Sequence, residues 1–157
     1  DEPTTALDVT IEAQILKLMK KLCESVGTSI IMITHNMGVV AEICDYVYVM
    51  YAGRVVESTL TKTLFNEPAH PYTNGLLKSI PTIGKKQDRL YTIKGNVPNI
   101  LNLPKGCRFV DRCDYAQDIC FSSRPADEYI KDNHMVSCFL YKRIEDEKCS
   151  IKFKKHS

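Results

Sequence analysis

The chain has 157 residues, 44% of them hydrophobic, enough for one ordinary domain with extensions. Its formal net charge of +2 gives no case for nucleic-acid binding. Apolar runs such as Ile30 to Ile33 are strand-sized rather than membrane-sized, and no basic start leads into an apolar, cleavable leader.

The first half reads as alternating α/β. Ile11, Ile15, Leu18, Met19, Leu22 and Val26 recur at helical spacing, and Gly27 closes that helix. Thr10 or Asp8 caps its start, with Glu12 in the first turn where the helix dipole favours an acid. TSIIMI follows, a β-branched apolar run expected as a strand buried on both faces. It ends in Thr34-His35-Asn36, and a second helix is expected over Met37 to Cys44. YVYVMY and RVVE flank Ala52-Gly53, the pattern of two strands joined by a tight turn. This succession fits the end of a doubly wound sheet, with ligands outside the carboxyl ends of the strands.

Two clusters fall at such ends. The chain opens Asp1-Glu2-Pro3, acids expected at the exposed end of a preceding strand, and His35 follows TSIIMI. One carboxylate can hold a magnesium ion while the other polarises an attacking water. The imidazole can donate to developing phosphate charge. Taken singly, each has a plainer reading: an acidic pair is a solvated turn, a lone His a structural hydrogen bonder, and Asp8 an N-cap.

Order and spacing distinguish them. Asp-Glu-Pro-Thr-Thr-Ala-Leu-Asp, a helix, an apolar strand and Thr-His-Asn together resemble the ATP-binding subunits of ABC transporters. The resemblance implies that Asp1 ends the Walker B strand and helps hold Mg2+, and that Glu2 is the general base or water-orienting carboxylate. It makes Ala6-Leu7-Asp8 the D-loop, with Asp8 serving ATP binding across a nucleotide-sandwich dimer. It makes His35 the switch-loop residue that contacts the γ-phosphate of ATP. The phosphate loop G-x-x-x-x-G-K-[ST] is absent, since Gly84-Lys85-Lys86 lacks the upstream glycine and the Ser/Thr. The signature motif, Q-loop and adenine-stacking aromatic are absent too. This chain alone is therefore expected not to turn over ATP, whereas the full-length protein is expected to be an ATPase.

In NEPAHPYTNGLLKSIP, Pro68 stops one element and His70-Pro71 starts a helix, with Leu76, Leu77 and Ile80 as its apolar face. The segment packs, and His70 reads as structural, no second ligand lying nearby in sequence. Glu-Pro-x-His-Pro-Tyr-Thr-x-x-Leu-Leu resembles the segment that marks the oligopeptide and dipeptide importer branch, which includes nickel importers.

After Pro81 the composition turns to Gly, Pro and charge, with one short strand expected from Leu90 to Ile93. The expected organisation is the C-terminal part of a P-loop, ABC-type domain over 1–80, a linker over 81–104, a cysteine-rich extension over 105–142 and a basic tail over 143–157. Seven cysteines are odd in number, so at least one is unpaired, and a cytosolic chain keeps thiols reduced. Cys107, Cys113, Cys120 and Cys138 have five, six and seventeen residues between them. These gaps are wider than paired C-x2-C zinc knuckles, and iron–sulfur sites tolerate varied gaps. A small extension with little apolar core also needs a staple. Metal, disulfides and free buried thiols compete, and spacing alone does not separate sulfur-rich metal sites.

G-C-R-F-x-x-R-C-x-x-A-x-x-x-C, followed by His-x-Val-x-Cys, resembles the C-terminal extension of peptide-importer ATPases. That resemblance implies a [4Fe-4S] cluster on the four cysteines, with Zn2+ as the alternative; Val110-Asp111 and Asp114 depart from the pattern without removing a ligand. His134 is expected to be structural or to support the ligands, and Arg108 and Arg112 to face sulfur or form surface salt bridges. Cys23, Cys44 and Cys149 read as non-ligands. The implied whole is a peptide-importer ATPase peripheral on the cytoplasmic membrane face. Its implied partners are a second ATPase subunit, two permeases and, indirectly, an extracellular binding protein. The rival class is an independent iron–sulfur or zinc regulatory module without ATPase activity.

Overall fold

Asp8 starts the first helix. Its side chain accepts the Ile11 N–H at 2.9 Å, so the N-cap is Asp8 and not Thr10. Helix α1 runs Val9–Val26, and Gly27 ends it in the left-handed region at φ 67°, where a Cβ would strain. Helix α2 spans Met37–Ile43, capped by the Asn36 side chain on the Gly38 and Val39 amides.

The computed structural model describes residues 1–81 and 91–141. Leu90, Cys149, the Gly84-Lys85-Lys86 triplet and the tail from 143 lie outside the described residues. Residues 1–45 form one compact unit and residues from 46 onward a second.

In the first unit the TSIIMI run forms no strand. A ladder needs a partner for every second residue, and one backbone bond, from Glu2 N–H to the Ile33 carbonyl at 2.7 Å, meets this run. Expected two-sided burial fails with it: Ile31 is 93% exposed. Helix α1 buries Leu16 but leaves Leu18, Leu22 and Val26 exposed.

The second unit is built on an antiparallel sheet. Strand β1 is Tyr46–Tyr51 and β2 is Arg54–Leu60, joined through Ala52 and Gly53, both at positive φ as a tight hairpin turn demands. Along β1, Val49 and Tyr51 are buried while Tyr48 and Met50 face out. Helices α3 (Thr61–Asn66) and α4 (Pro71–Lys78) follow, α4 with Pro71 in its first turn. Helix α5 is Asp118–Ser122, and strands β3 (Glu128–Lys131) and β4 (His134–Val136) close the sheet in the order β1-β2-β4-β3.

Strand β4 pairs with β2, Glu57 opposite Val136 and Ser58 opposite Met135. The sheet therefore draws strands from both sides of the 81–104 segment, so packing does not divide there. Among the described residues the sheet is wholly antiparallel rather than the end of a parallel, doubly wound one. Tyr91 to Ile93 carry no strand. The cysteine-rich stretch also has more core than its composition suggests, because Phe109, Val110, Val136 and Leu140 are all buried.

Candidate functional site

The first unit brings Glu2 and His35 together. They are 33 residues apart in sequence, yet His35 Nδ1 and Glu2 Oε1 lie 2.6 Å apart. The Thr5 hydroxyl donates to the other Glu2 oxygen at 2.8 Å. These bonds, Thr5 first and His35 second, hold the Glu2 carboxyl below its ordinary range. Glu2 is thus ionised at neutral pH and acceptor-only, so Nδ1 carries the proton in this contact. The Glu2 backbone sits at φ 41°, an uncommon conformation for a residue with a Cβ. Its amide bond to Ile33 and the Thr5 amide on its carbonyl hold it there. Asp1 is exposed next to Glu2. Asp8, also exposed, caps α1.

The second unit gathers four thiols. Cys107, Cys113, Cys120 and Cys138 line a single pocket together with His70, Phe109 and Leu140. All four are free thiols. Each of the four pocket sulfurs is met by a backbone amide: Cys107 by Phe109, Cys113 by Tyr115, Cys138 by Leu140, and Cys120 by Gln117 at 3.5 Å. Amides two residues beyond a cysteine favour the thiolate. Burial outweighs them, raising the Cys107 thiol, pushing Cys113 up to about 11 and Cys138 up to about 12, with the neighbouring thiols adding to the rise. Without a cation these groups stay protonated. Among the described residues, no group of three or more His, Cys, Asp or Glu is arranged to hold a metal ion as it stands.

Local chemistry explains the convergence. The Cys107 amide bonds the Cys120 carbonyl at 2.8 Å, stitching two cysteine segments together. At Gly106 a Cβ would run into that same carbonyl, so the close approach requires glycine. Phe109 anchors the loop edge-on to Tyr51, ring centroids 5.1 Å apart, and also packs on Tyr72 and His70. Arg108 and Arg112 depart from expectation. Arg108 donates to the Ala52 carbonyl, and Arg112 to the Lys94 and Ile93 carbonyls and the Tyr51 hydroxyl. Loop carbonyls with no ladder partner are what these fixed five-donor groups satisfy.

Glu57 escaped the sequence reading. It is fully buried on β2, accepts the Ala69 and His70 amides at 2.7 and 2.8 Å, and bonds His134 Nε2 at 2.8 Å. One carboxylate thereby ties β2, the start of α4 and β4. The available signal was an acid inside the β-branched run RVVEST. His134 takes the structural role expected of it, its buried Nδ1 without a partner among the described residues. His70 is also buried, its Nδ1 accepting the Tyr72 N–H at 3.0 Å as N-cap of α4. The expectation that it has no ligand-bearing neighbours holds in sequence but not in space, since the pocket sets it beside the four thiols.

A family model described as "Oligopeptide/dipeptide transporter, C-terminal region" matches residues 56–120. The oligopeptide transport ATP-binding protein AppD of Bacillus subtilis (strain 168) is 56% identical over 141 residues, which are 90% of this chain and 43% of AppD. The chain is thus similar to oligopeptide transport ATP-binding proteins, and its residues 56–120 match the C-terminal region of the oligopeptide/dipeptide transporter family. OppD of Escherichia coli (strain K12) is 49% identical over 139 residues, 88% of this chain and 41% of its own length. OppD of Haemophilus influenzae (strain ATCC 51907 / DSM 11121 / KW20 / Rd) is 53% identical over 120 residues, 76% of this chain and 37% of OppD. The chain thus spans less than half the length of these relatives. Within it, the family-model match runs from β2 through Cys107, Cys113 and Cys120.

Proposed function

We propose that the complete protein binds and hydrolyses ATP to energise import of oligopeptides or dipeptides across the cytoplasmic membrane. The observation that carries this reading is the 2.6 Å contact between Glu2 and His35. Phosphoryl transfer to water needs positioning and charge stabilisation more than covalent chemistry. An ionised Glu2, fixed by Thr5 and His35, orients the attacking water and takes its proton. His35 bonds Glu2 through Nδ1–H, so it donates Nε2–H to a phosphate oxygen only when the ring carries both protons. Asp1 offers a hard oxygen donor beside Glu2, suited to Mg2+, which neutralises phosphate charge when bound. Asp8, at the start of α1, lies where the resemblance sets the D-loop. The chain as it stands does not turn over ATP, lacking a phosphate loop. The partners are a second ATP-binding subunit, two permeases at whose cytoplasmic face it sits peripherally, and indirectly an extracellular binding protein.

The cysteine pocket is proposed to hold a [4Fe-4S] cluster on Cys107, Cys113, Cys120 and Cys138 within the extension. Four thiols around one apolar pocket, each met by a backbone amide, support that donor set. Zn2+, which takes four such ligands at about 2.3 Å, is the alternative on the same donor set. The group when bound would staple the extension, since thiolates bind it in their deprotonated form.

The test of the ATPase reading is Glu2→Gln in the full-length protein. Turnover should fall by roughly 10²-fold or more while nucleotide binding persists. Near-normal phosphate release would overturn the role of Glu2.

A further inference from the structure

We propose that Glu12, in the first turn of α1, is a positioning residue for the reaction: it holds Thr4, and through Thr4 the turn from which Glu2 and Thr5 project. This rests on the role given to Glu2 above and places a further residue of the machinery on the helix, outside residues 1–8.

The turn is held in an unfavourable backbone. Glu2 sits at φ 41° and Ala6 at φ 65°, both in the left-handed region although both carry a Cβ. Such conformations persist where surrounding bonds over-determine them, and they cluster at working sites. Two backbone bonds close the turn on itself, from the Thr5 N–H to the Glu2 carbonyl at 3.2 Å and from the Leu7 N–H to the Thr4 carbonyl at 3.3 Å. Both are local, and Thr4 alone of residues 1–10 is buried. Its hydroxyl donates to Glu12 Oε1 at 2.7 Å, short as hydroxyl–carboxylate bonds are.

The two threonines therefore divide their roles. Thr4 ties the segment to α1, while Thr5 donates to Glu2 Oε2 at 2.8 Å. Glu12 is itself set by the helix start, its N–H bonded to the Asp8 carbonyl at 2.9 Å. The line from α1 to the base runs Glu12, Thr4, Thr5, Glu2, with His35 at 2.6 Å from the other Glu2 oxygen. Losing the Thr4–Glu12 bond lets the turn relax toward ordinary φ values and carries the Glu2 carboxylate off His35. A displacement of about 1 Å at a reacting group can cost roughly 10²-fold in rate. The plainer role of Glu12, an acid favoured by the helix dipole, needs its charge and not this bond.

The experiment uses the full-length protein as wild type, Glu12→Ala, Glu12→Gln, Thr4→Val and Glu2→Gln, with Glu12→Ala also placed in the Glu2→Gln background. Turnover and nucleotide affinity are measured, and in the nucleotide-free protein the 15N shifts of the His35 ring, which report its bond to Glu2. Glu12→Ala and Thr4→Val should each lower kcat by roughly 10- to 10²-fold, leave nucleotide affinity unchanged and move the His35 signals. Glu12→Gln keeps an oxygen that accepts from Thr4, so turnover and His35 signals should both stay near those of wild type. In the Glu2→Gln background Glu12→Ala should cause no further loss, because residues acting as a unit are not additive. Equal losses for Glu12→Gln and Glu12→Ala overturn the inference in favour of the dipole role. A further loss in the Glu2→Gln background, or an unmoved His35 spectrum, overturns it as well. Should Glu12→Ala fail to fold, Thr4→Val decides on the same readouts. Normal turnover in Glu12→Ala and Thr4→Val beside an inactive Glu2→Gln removes this inference alone; near-normal turnover in Glu2→Gln removes the role of Glu2 and this inference with it.

Discussion

The two units hold their functional residues in opposite ways. In residues 1–45 the Glu2–His35 contact lies at the surface, fixed by the Thr5 hydroxyl donating to the Glu2 carboxylate and by the Glu2 N–H donating to the Ile33 carbonyl. From residue 46 onward the four thiols are set by a buried frame: Glu57 across three elements, Phe109 among aromatic rings, and Gly106 at a backbone crossing. A surface constellation keeps its groups open to a ligand but gains little from burial. A buried pocket fixes its donors yet depends on every packed neighbour. Perturbations should therefore spread widely in the second unit and stay local in the first.

The largest effect should come from Glu57→Ala. It strips the Ala69 and His70 amides and His134 of their common acceptor, and losing one partner of a buried polar network costs roughly 3–5 kcal/mol. Denaturant unfolding of the chain should show that loss, and a shift under 1 kcal/mol would mean the frame does not depend on this carboxylate. Gly106→Ala should follow, at about 3 kcal/mol from forced overlap with the Cys120 carbonyl. Thermal melting reports it; an unchanged midpoint would show that the loop crossing can open without penalty.

Acidification sharpens the contrast next. His70 has an ordinary value of 6.5 and is pushed down to about 4 by burial. Its folded value is the lower one, so the unfolded chain binds the extra proton between those pH values. The stability from neutral His70 is present above pH 6.5 and is lost as pH falls toward 4. Between pH 7 and pH 5 the loss should be about 2 kcal/mol, read from urea midpoints at the two pH values. If His70→Ser leaves that slope intact, the slope belongs to another group. The smallest effect is expected from Asp8→Ala, about 1 kcal/mol from the lost N-cap. Amide exchange should quicken in the first turn of α1 while β2 and β4 keep their protection; a global change would contradict the local character of the first unit.

Much of the local architecture was legible. The periodicity from Ile11 to Val26, Gly27 beyond it, the Ala52-Gly53 turn and Pro71 at the start of α4 each depend on a residue's own backbone preferences. TSIIMI misled because β-branched residues state a preference for a strand but cannot supply the partner that makes one. Tyr91 to Ile93 misled for the same reason. The pairing of β2 with β4 was illegible because it joins residues nearly eighty apart and no short-range pattern encodes such a partner.

By itself, then, the sequence determined the helix that ends at Gly27, the Ala52-Gly53 turn, the proline start of α4, and the motif order by which the chain resembles ABC transport ATPases. Those are properties of neighbouring residues, governed by backbone sterics and short-range hydrogen bonds. Only tertiary structure decided that Glu57 would become a buried junction, that two arginines would serve carbonyls, and that His70 would stand in one pocket with Cys107, Cys113, Cys120 and Cys138. The reason is that a buried polar group takes whichever partner the packing brings within reach, and that partner's distance along the chain has no bearing on the bond.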